Sequence, residues 1–166
     1  MTHRLALTVM TGAALLSAAP AFALSCLRPD LGRSFAAAAE SESAYLVVHG
    51  AFDFKASAMP KADKSAGAGI AATGTTRVPA QFKGGGLTPD GFTVPVRLDV
   101  TLEVGCQGPW CGTLAAGKPQ LAFLEQRDEG YVLSVEPCPG FAFASPTPED
   151  LDFVTACYAK GSCPDP

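Results

Sequence analysis

Hydrophobic and polar positions alternate most cleanly between Val94 and Val104. Val94, Val96, Leu98, Val100, Leu102 and Val104 interleave with Pro95, Arg97, Asp99, Thr101 and Glu103. A period of two puts one row of side chains in a core and the other in water, which is the pattern of a half-buried strand. Pro95 has no N–H for a ladder, so it belongs at a bulge or a sheet edge. Four further segments read as strands: 44–54, 75–83, 119–125 and 130–136. The first is dense in β-branched and aromatic residues. The last two flank the polar turn Gln126-Arg-Asp-Glu-Gly130 and form a hairpin. Gly84-Gly-Gly86 and Pro89-Asp-Gly91 mark a turn region before the alternating strand.

The helical signals stand near the two ends. Leu31–Ser43 holds the run Phe35-Ala-Ala-Ala-Ala39, enough for a short alanine-rich helix. Towards the C-terminus, Thr147 can cap, Pro148 suits the first turn, and Glu149 and Asp150 favour the positive end of a helix dipole. Leu151, Val154 and Tyr158 share a face with Cys157 beside them, and Gly161 ends the helix. Residues 55–74, rich in Ala, Gly, Ser and Lys, read as a flexible loop. Gly67-Ala-Gly69 inside it lacks the preceding strand and following helix that a dinucleotide fingerprint needs. The expected chain is mainly β, with five strands, a short N-terminal helix and a C-terminal helix.

The first residues follow a different plan. Arg4 gives a basic start, Leu5–Ala19 is an apolar run, and Pro20-Ala-Phe-Ala23 offers an A-x-A cleavage site. Those are the three parts of a secretory signal peptide, placed at 1–23. The run is shorter than the roughly 20 apolar residues of a transmembrane span. An uncleaved anchor is one competing reading. A lipoprotein is the other: Cys26 lies just past the run, but Ala23 stands where a lipobox wants Leu. Acylating Cys26 would also leave an odd number of cysteines. The expectation is a secreted or periplasmic protein with one domain over 24–166 and no transmembrane segment; lipid anchoring in the envelope is the alternative.

Composition narrows the partners. The chain carries a net charge of −4, which becomes −5 once Arg4 leaves with the signal. With no Lys/Arg cluster, nucleic acid and anionic membranes are not expected partners. All six cysteines (Cys26, Cys106, Cys111, Cys138, Cys157 and Cys163) follow the signal. An even count in an exported chain reads as structural disulfides, with connectivity open. Beyond the signal only His49 remains to ligate a metal, and there is no CxxC pair. Zinc is therefore not expected, nor any cofactor.

Catalytic constellations are equally thin. His49 lies on an apolar strand, as a structural residue would. Trp110, within Cys106-Gln-Gly-Pro-Trp-Cys111, reads as a loop aromatic packed on a disulfide. Glu149 and Asp150 are accounted for by the helix start, and Asp99 and Glu103 by the wet face of their strand. The expectation is a non-catalytic protein.

Five strands, an N-terminal cysteine and a helix closed by a cysteine suit a disulfide-stapled, five-stranded Greek-key OB-fold barrel. Ser25-Cys-Leu-Arg-Pro29, then Phe35-Ala-Ala-Ala38, then a strand carrying His49-Gly50, resemble the start of a netrin-like domain, the family of the tissue inhibitors of metalloproteinases. Pro119–Glu125, Glu129–Val135, Cys138, Phe143, Pro146–Leu151 and Gly161-Ser-Cys163 follow that family's order of strand, turn, strand, cysteine, helix, cysteine. The resemblance spans most of residues 25–163. It implies a Cys26–Cys138 bridge; Cys106–Cys111 and Cys157–Cys163 are close enough in sequence to pair locally. The family's early cysteine falls near Ala36 here, so that bridge is missing. The resemblance also implies metalloprotease inhibition as an alternative function, with Ser25, Cys26 and Leu27 as the inhibitory or partner-binding segment. A cysteine at the mature N-terminus would offer its amine to a catalytic zinc. Cleavage after Ala23 would leave Leu24 and Ser25 ahead of it. The preferred expectation is a binding module for a protein or glycan, with the 55–74 loop and the Gly84–Gly91 turn as candidate surface.

Overall fold

The alternating stretch lies at the centre of a seven-stranded sheet in a computed structural model that describes residues 25–61 and 74–163. The signal peptide and residues 62–73 of the expected loop lie outside the described residues. In chain order the elements are α1 (Leu31–Glu40), β1 (Tyr45–Phe54), a 3-10 turn (Ala56–Ala58), β2 (Gly74–Thr88), β3 (Gly91–Gln107), β4 (Trp110–Cys111), β5 (Pro119–Arg127), β6 (Gly130–Val135), β7 (Ala142–Ala144) and α2 (Pro148–Lys160). β1 pairs antiparallel with both β2 and β5, and β2 pairs antiparallel with β3. β3 runs parallel to β6, and β6 forms the antiparallel hairpin with β5. Following neighbours through β2, β3, β6 and β5 therefore returns to β1. β4 extends β3, and β7 adds to β5.

Alternation holds on the inner half of β3, where Val100, Leu102 and Val104 are buried, and Arg97 and Asp99 are exposed. Val96 and Leu98 are only partly buried, and Val94, expected on the inward row, is 51% exposed where β3 has no β6 beside it. β6 pairs with β3 only over Val100–Val104, so Pro95 lies where β3 has β2 on one side alone. That is the edge position its missing N–H requires.

Three expectations are corrected. The five expected strands are present, and β4 and β7 add two short ones, so the segment carrying Trp110 is a strand rather than a loop. Gly84–Gly86 is not a turn: it continues β2, paired with β1 on one side and Val94–Val96 of β3 on the other. The glycines are needed for close approach, because a Cβ on Gly84 would strike the His49 carbonyl and the Gly50 Cα. Tyr158 does not share the buried face of α2; it is 47% exposed, while Val154 and Cys157 are buried.

Two apolar clusters hold these elements. The first lies among the strands and includes Val48, Phe52, Phe82, Leu102, Leu124 and Leu133. The second joins Val47, Leu121, Phe123 and Val154, with Phe35 of α1 and Leu151 of α2 packed against it. β5 serves both: Ala122 and Leu124 belong to the first, Leu121 and Phe123 to the second. α1 starts at an Asp30 cap, whose Oδ1 accepts from the Arg33 N–H at 2.8 Å. α2 starts with a capping box: the Thr147 hydroxyl accepts from the Asp150 N–H and the Asp150 carboxylate accepts from the Thr147 N–H.

All six cysteines are bridged, as Cys26–Cys138, Cys106–Cys111 and Cys157–Cys163. The first is the pairing that the family resemblance implies. Cys106 and Cys111 face each other across the β3–β4 pair. The third closes the C-terminal end of α2.

Candidate functional site

The start of α1 packs beside α2: at Gly32 a Cβ would lie in ordinary contact with the Phe153 ring, at 3.6 Å, and with Cys163 Cβ, at 3.7 Å. Ser34, buried in α1, has its hydroxyl within hydrogen-bond reach of the Asp30 and Gly140 carbonyls, tying the helix to the 137–140 segment. Between these parts lies a cleft of about 830 Å³. The start of α1 supplies Asp30 and Leu31, and the segment after β4 supplies Thr113, Leu114 and Ala115. Ser134, Val135 and Glu136 line it from the end of β6. The β5–β7 pair contributes Gln120 and Phe143, and α2 contributes Asp150 and Phe153.

Gln120 is the unusual member. Its backbone pairs with Gly50 of β1 and Ala144 of β7, and the residue is only 2% exposed. Its side-chain amide makes no hydrogen bond with any described residue. Among the described residues no fully buried side-chain nitrogen or oxygen lacks a partner, so the amide opens into the cleft. An amide reached from the cleft can donate to and accept from a ligand.

Ser25, Cys26 and Leu27 are exposed, Leu27 at 77%. The segment reaches the cleft through Pro29. The expected 55–74 surface is described only at its two ends, and the Gly84–Gly91 segment is built into β2 and the β2–β3 turn. On that side a groove of about 510 Å³ is lined by Asp53, Lys83, Arg97 and Asp99. Its charges alternate in sign, and the Gln81 amide donates to Asp99 at 3.3 Å. His49 stands edge-on to Phe92, with ring centroids 5.7 Å apart. Trp110 is 39% exposed at the β3–β4 tip, and its ring lies beside Gly108. Among the described residues no three His, Cys, Asp or Glu side chains stand together as a metal site.

Glu103 is more than a solvated residue of the wet face. It lies opposite Arg77 in the β2–β3 register and accepts from Arg77 Nε at 3.1 Å and from Arg127 at 3.0 Å. Arg127 also donates two hydrogen bonds to Glu125, at 2.9 and 2.6 Å. The Arg127 hydrogen bond, then that of the Ser43 hydroxyl, lowers the Glu125 carboxyl below its usual 4.5. A depressed carboxyl stabilises the fold above its unfolded value and loses that contribution as the pH falls through the folded one. Glu125→Gln is therefore expected to cost less than about 1 kcal/mol at pH 7, because the pair is partly solvated. It should also flatten the loss of stability below about pH 4.5. Urea titrations of both proteins at pH 7 and pH 3 check this; parallel curves at the two pH values would remove Glu125 from the acid response.

The sequence brought forward the N-terminal segment and the cysteines, and passed over Gln120 as one polar position in an apolar strand. Comparison of the chain with protein-family models, curated proteins and solved structures finds no match.

Proposed function

We propose that this chain is an exported, disulfide-stapled binding module on a small OB-type Greek-key barrel, and that it is not an enzyme. The barrel reading rests on the cycle of pairings β1–β2–β3–β6–β5–β1 and on the parallel β3–β6 pair. The Cys26–Cys138 bridge supports kinship with netrin-like domains. Three bridges suit an oxidising compartment, secreted or periplasmic. Among the described residues no helix is long and apolar enough to cross a membrane. With every cysteine bridged there is no thiol nucleophile, and His49 stands edge-on to the Phe92 ring.

The observation that carries the binding reading is the cleft, apolar-walled with one buried amide opening into it, which is the usual make-up of a ligand site. The partner is a protein or a glycan; the acidic net charge disfavours nucleic acid. The test is retention of partners from envelope and extracellular fractions on the immobilised, exported chain. Retention should fall at least tenfold in Ala115→Trp, an exposed position on the cleft whose larger side chain fills it. Retention unchanged by that substitution, or no retained partner, overturns the reading.

A second reading, metalloprotease inhibition, is favoured by one observation: the Cys26–Cys138 bridge anchors an exposed Ser25–Leu27 segment. It requires a mature chain that begins at Cys26 with a free amine to ligate zinc. Intact mass decides: a chain starting at Leu24, or one acylated at Cys26, eliminates it.

A further inference from the structure

We infer that the cleft selects an organic cation: a protonated amine carried on an apolar body, with a group that hydrogen-bonds to the Gln120 amide. The inference rests on the binding-module reading and adds the chemistry of the ligand. Three carboxylates (Asp30, Glu136 and Asp150) line the cleft, and no Lys, Arg or His does. Asp30 and Asp150 also cap α1 and α2, and the starts of both helices line the cleft. Each helix N-terminus carries roughly half a positive charge, so two dipoles against three carboxylates leave the cleft at about −2. That balance rejects an anion despite the two helix ends. The three carboxylates do not form a metal cluster, so they set a potential over the cleft rather than chelating an ion.

Charge alone would mark only an acidic surface. The second observation is Gln120, a residue only 2% exposed that lines the same cleft and whose side-chain amide has no hydrogen-bond partner among the described residues. An amide both donates and accepts, so it can serve a carbonyl or N–H of the ligand without adding charge. Leu31, Leu114, Phe143 and Phe153 supply apolar wall in the same cleft. A ligand that satisfies all three has a hydrogen-bonding group, an apolar body and a cationic group. The cleft volume of about 830 Å³ suits a drug-sized molecule or a short basic peptide.

Calorimetric titration of the chain, purified from an oxidising compartment, tests this with one apolar body and three heads: 4-phenylbutylamine, 4-phenylbutyrate and 4-phenylbutanamide. The peptide acetyl-Phe-Ala-Lys-amide is the fourth arm. The amine is expected to bind at least tenfold tighter than the carboxylate, and to weaken several-fold as salt rises from 50 to 500 mM, as a screened attraction does. Glu136→Gln, at an exposed position, should reduce the amine-over-carboxylate preference about threefold to fivefold. Gln120→Leu should weaken the peptide and the butanamide about tenfold while leaving the carboxylate unchanged. A peptide at least tenfold tighter than the amine identifies a lysine-bearing segment as the source of the cation; the reverse order identifies a free amine. Equal binding of all heads, tighter binding of the carboxylate, or unchanged binding in Gln120→Leu overturns the inference. If none of the four binds while Ala115→Trp still abolishes retention of a natural partner, the inference falls and the binding-module reading stands.

Discussion

Replacing Cys26 and Cys138 together by serine is expected to lower the free energy of unfolding by about 4–5 kcal/mol, the largest loss available from any one of the three bridges. The bridge joins residues separated by 112 positions, whereas the other two span separations of 5 and 6. In the chain-entropy account a crosslink stabilises by restricting the unfolded chain, and the restriction grows with the logarithm of the loop. A loop of this size gives about 4.8 kcal/mol, and either local bridge about 2 kcal/mol. Domains of ordinary stability have only about 5–15 kcal/mol in total, so the long bridge is worth a large share of it. Both cysteines are changed so that no free thiol is left to exchange with the remaining bridges. Urea titration of Cys26→Ser/Cys138→Ser against Cys106→Ser/Cys111→Ser gives the comparison. A loss no greater than that of the local pair would show that the N-terminal segment is held by packing and not by its crosslink. Losing this bridge should also loosen Pro29 and Asp30, which enter the cleft directly after the anchored cysteine.

The parts of the fold governed by local rules were legible. The period of two over Val94–Val104 marks which β3 side chains go inward, and Val100, Leu102 and Val104 follow it, whereas Val94, beyond the reach of β6, stays exposed. Thr147, Pro148 and Asp150 identify the start of α2 because capping involves only neighbours along the chain. The misread parts depend on residues far away in sequence. Gly84–Gly86 carries the local mark of a turn, yet there the glycines let β1 and β2 close together, and only the Gly50–Gly84 register shows it. β4 is two residues long and β7 three, too short for any pattern to register. Tyr158 has helical spacing with Val154, but the α2 contact is set by where the sheet and the Cys157–Cys163 bridge lie. The cleft was invisible for the same reason. Gln120 becomes a buried residue only when β1 and β7 pair with β5 on its two sides, and Asp30, Glu136 and Asp150 converge from three distant segments.

The expected cost of Phe123→Ala is about 3–5 kcal/mol, which tests how the helical layer is attached to the sheet. Residues 119–125 show no alternation: Gln120, Leu121, Ala122, Phe123 and Leu124 are all buried. A strand buried on both faces loses the hydrophobic period that marks a half-wet one. Here one face of β5 packs among the strands and the other meets the second apolar cluster. Phe123 is 1% exposed on that second face, its ring 6.0 Å from Phe141 and 6.3 Å from Phe143 by centroid. Its N–H also donates to the Phe141 carbonyl at 2.9 Å, so the backbone pairing survives the substitution and the loss reports the side chain. Truncation removes the apolar transfer energy and leaves a void that two neighbouring rings, each with its own contacts, fill only in part. Tyr158→Ala on the outer face of α2 is the control, expected within about 0.5 kcal/mol because that residue is about half exposed and outside both apolar clusters. Urea titrations with unchanged slopes would give both values. A Phe123→Ala loss below about 1 kcal/mol would mean that the cavity collapses and that α1 and α2 hold to the sheet without this ring. The cleft shares Phe143 with the same cluster. Phe123→Ala should therefore weaken ligand binding even though Phe123 does not line the cleft, whereas Tyr158→Ala should leave it intact.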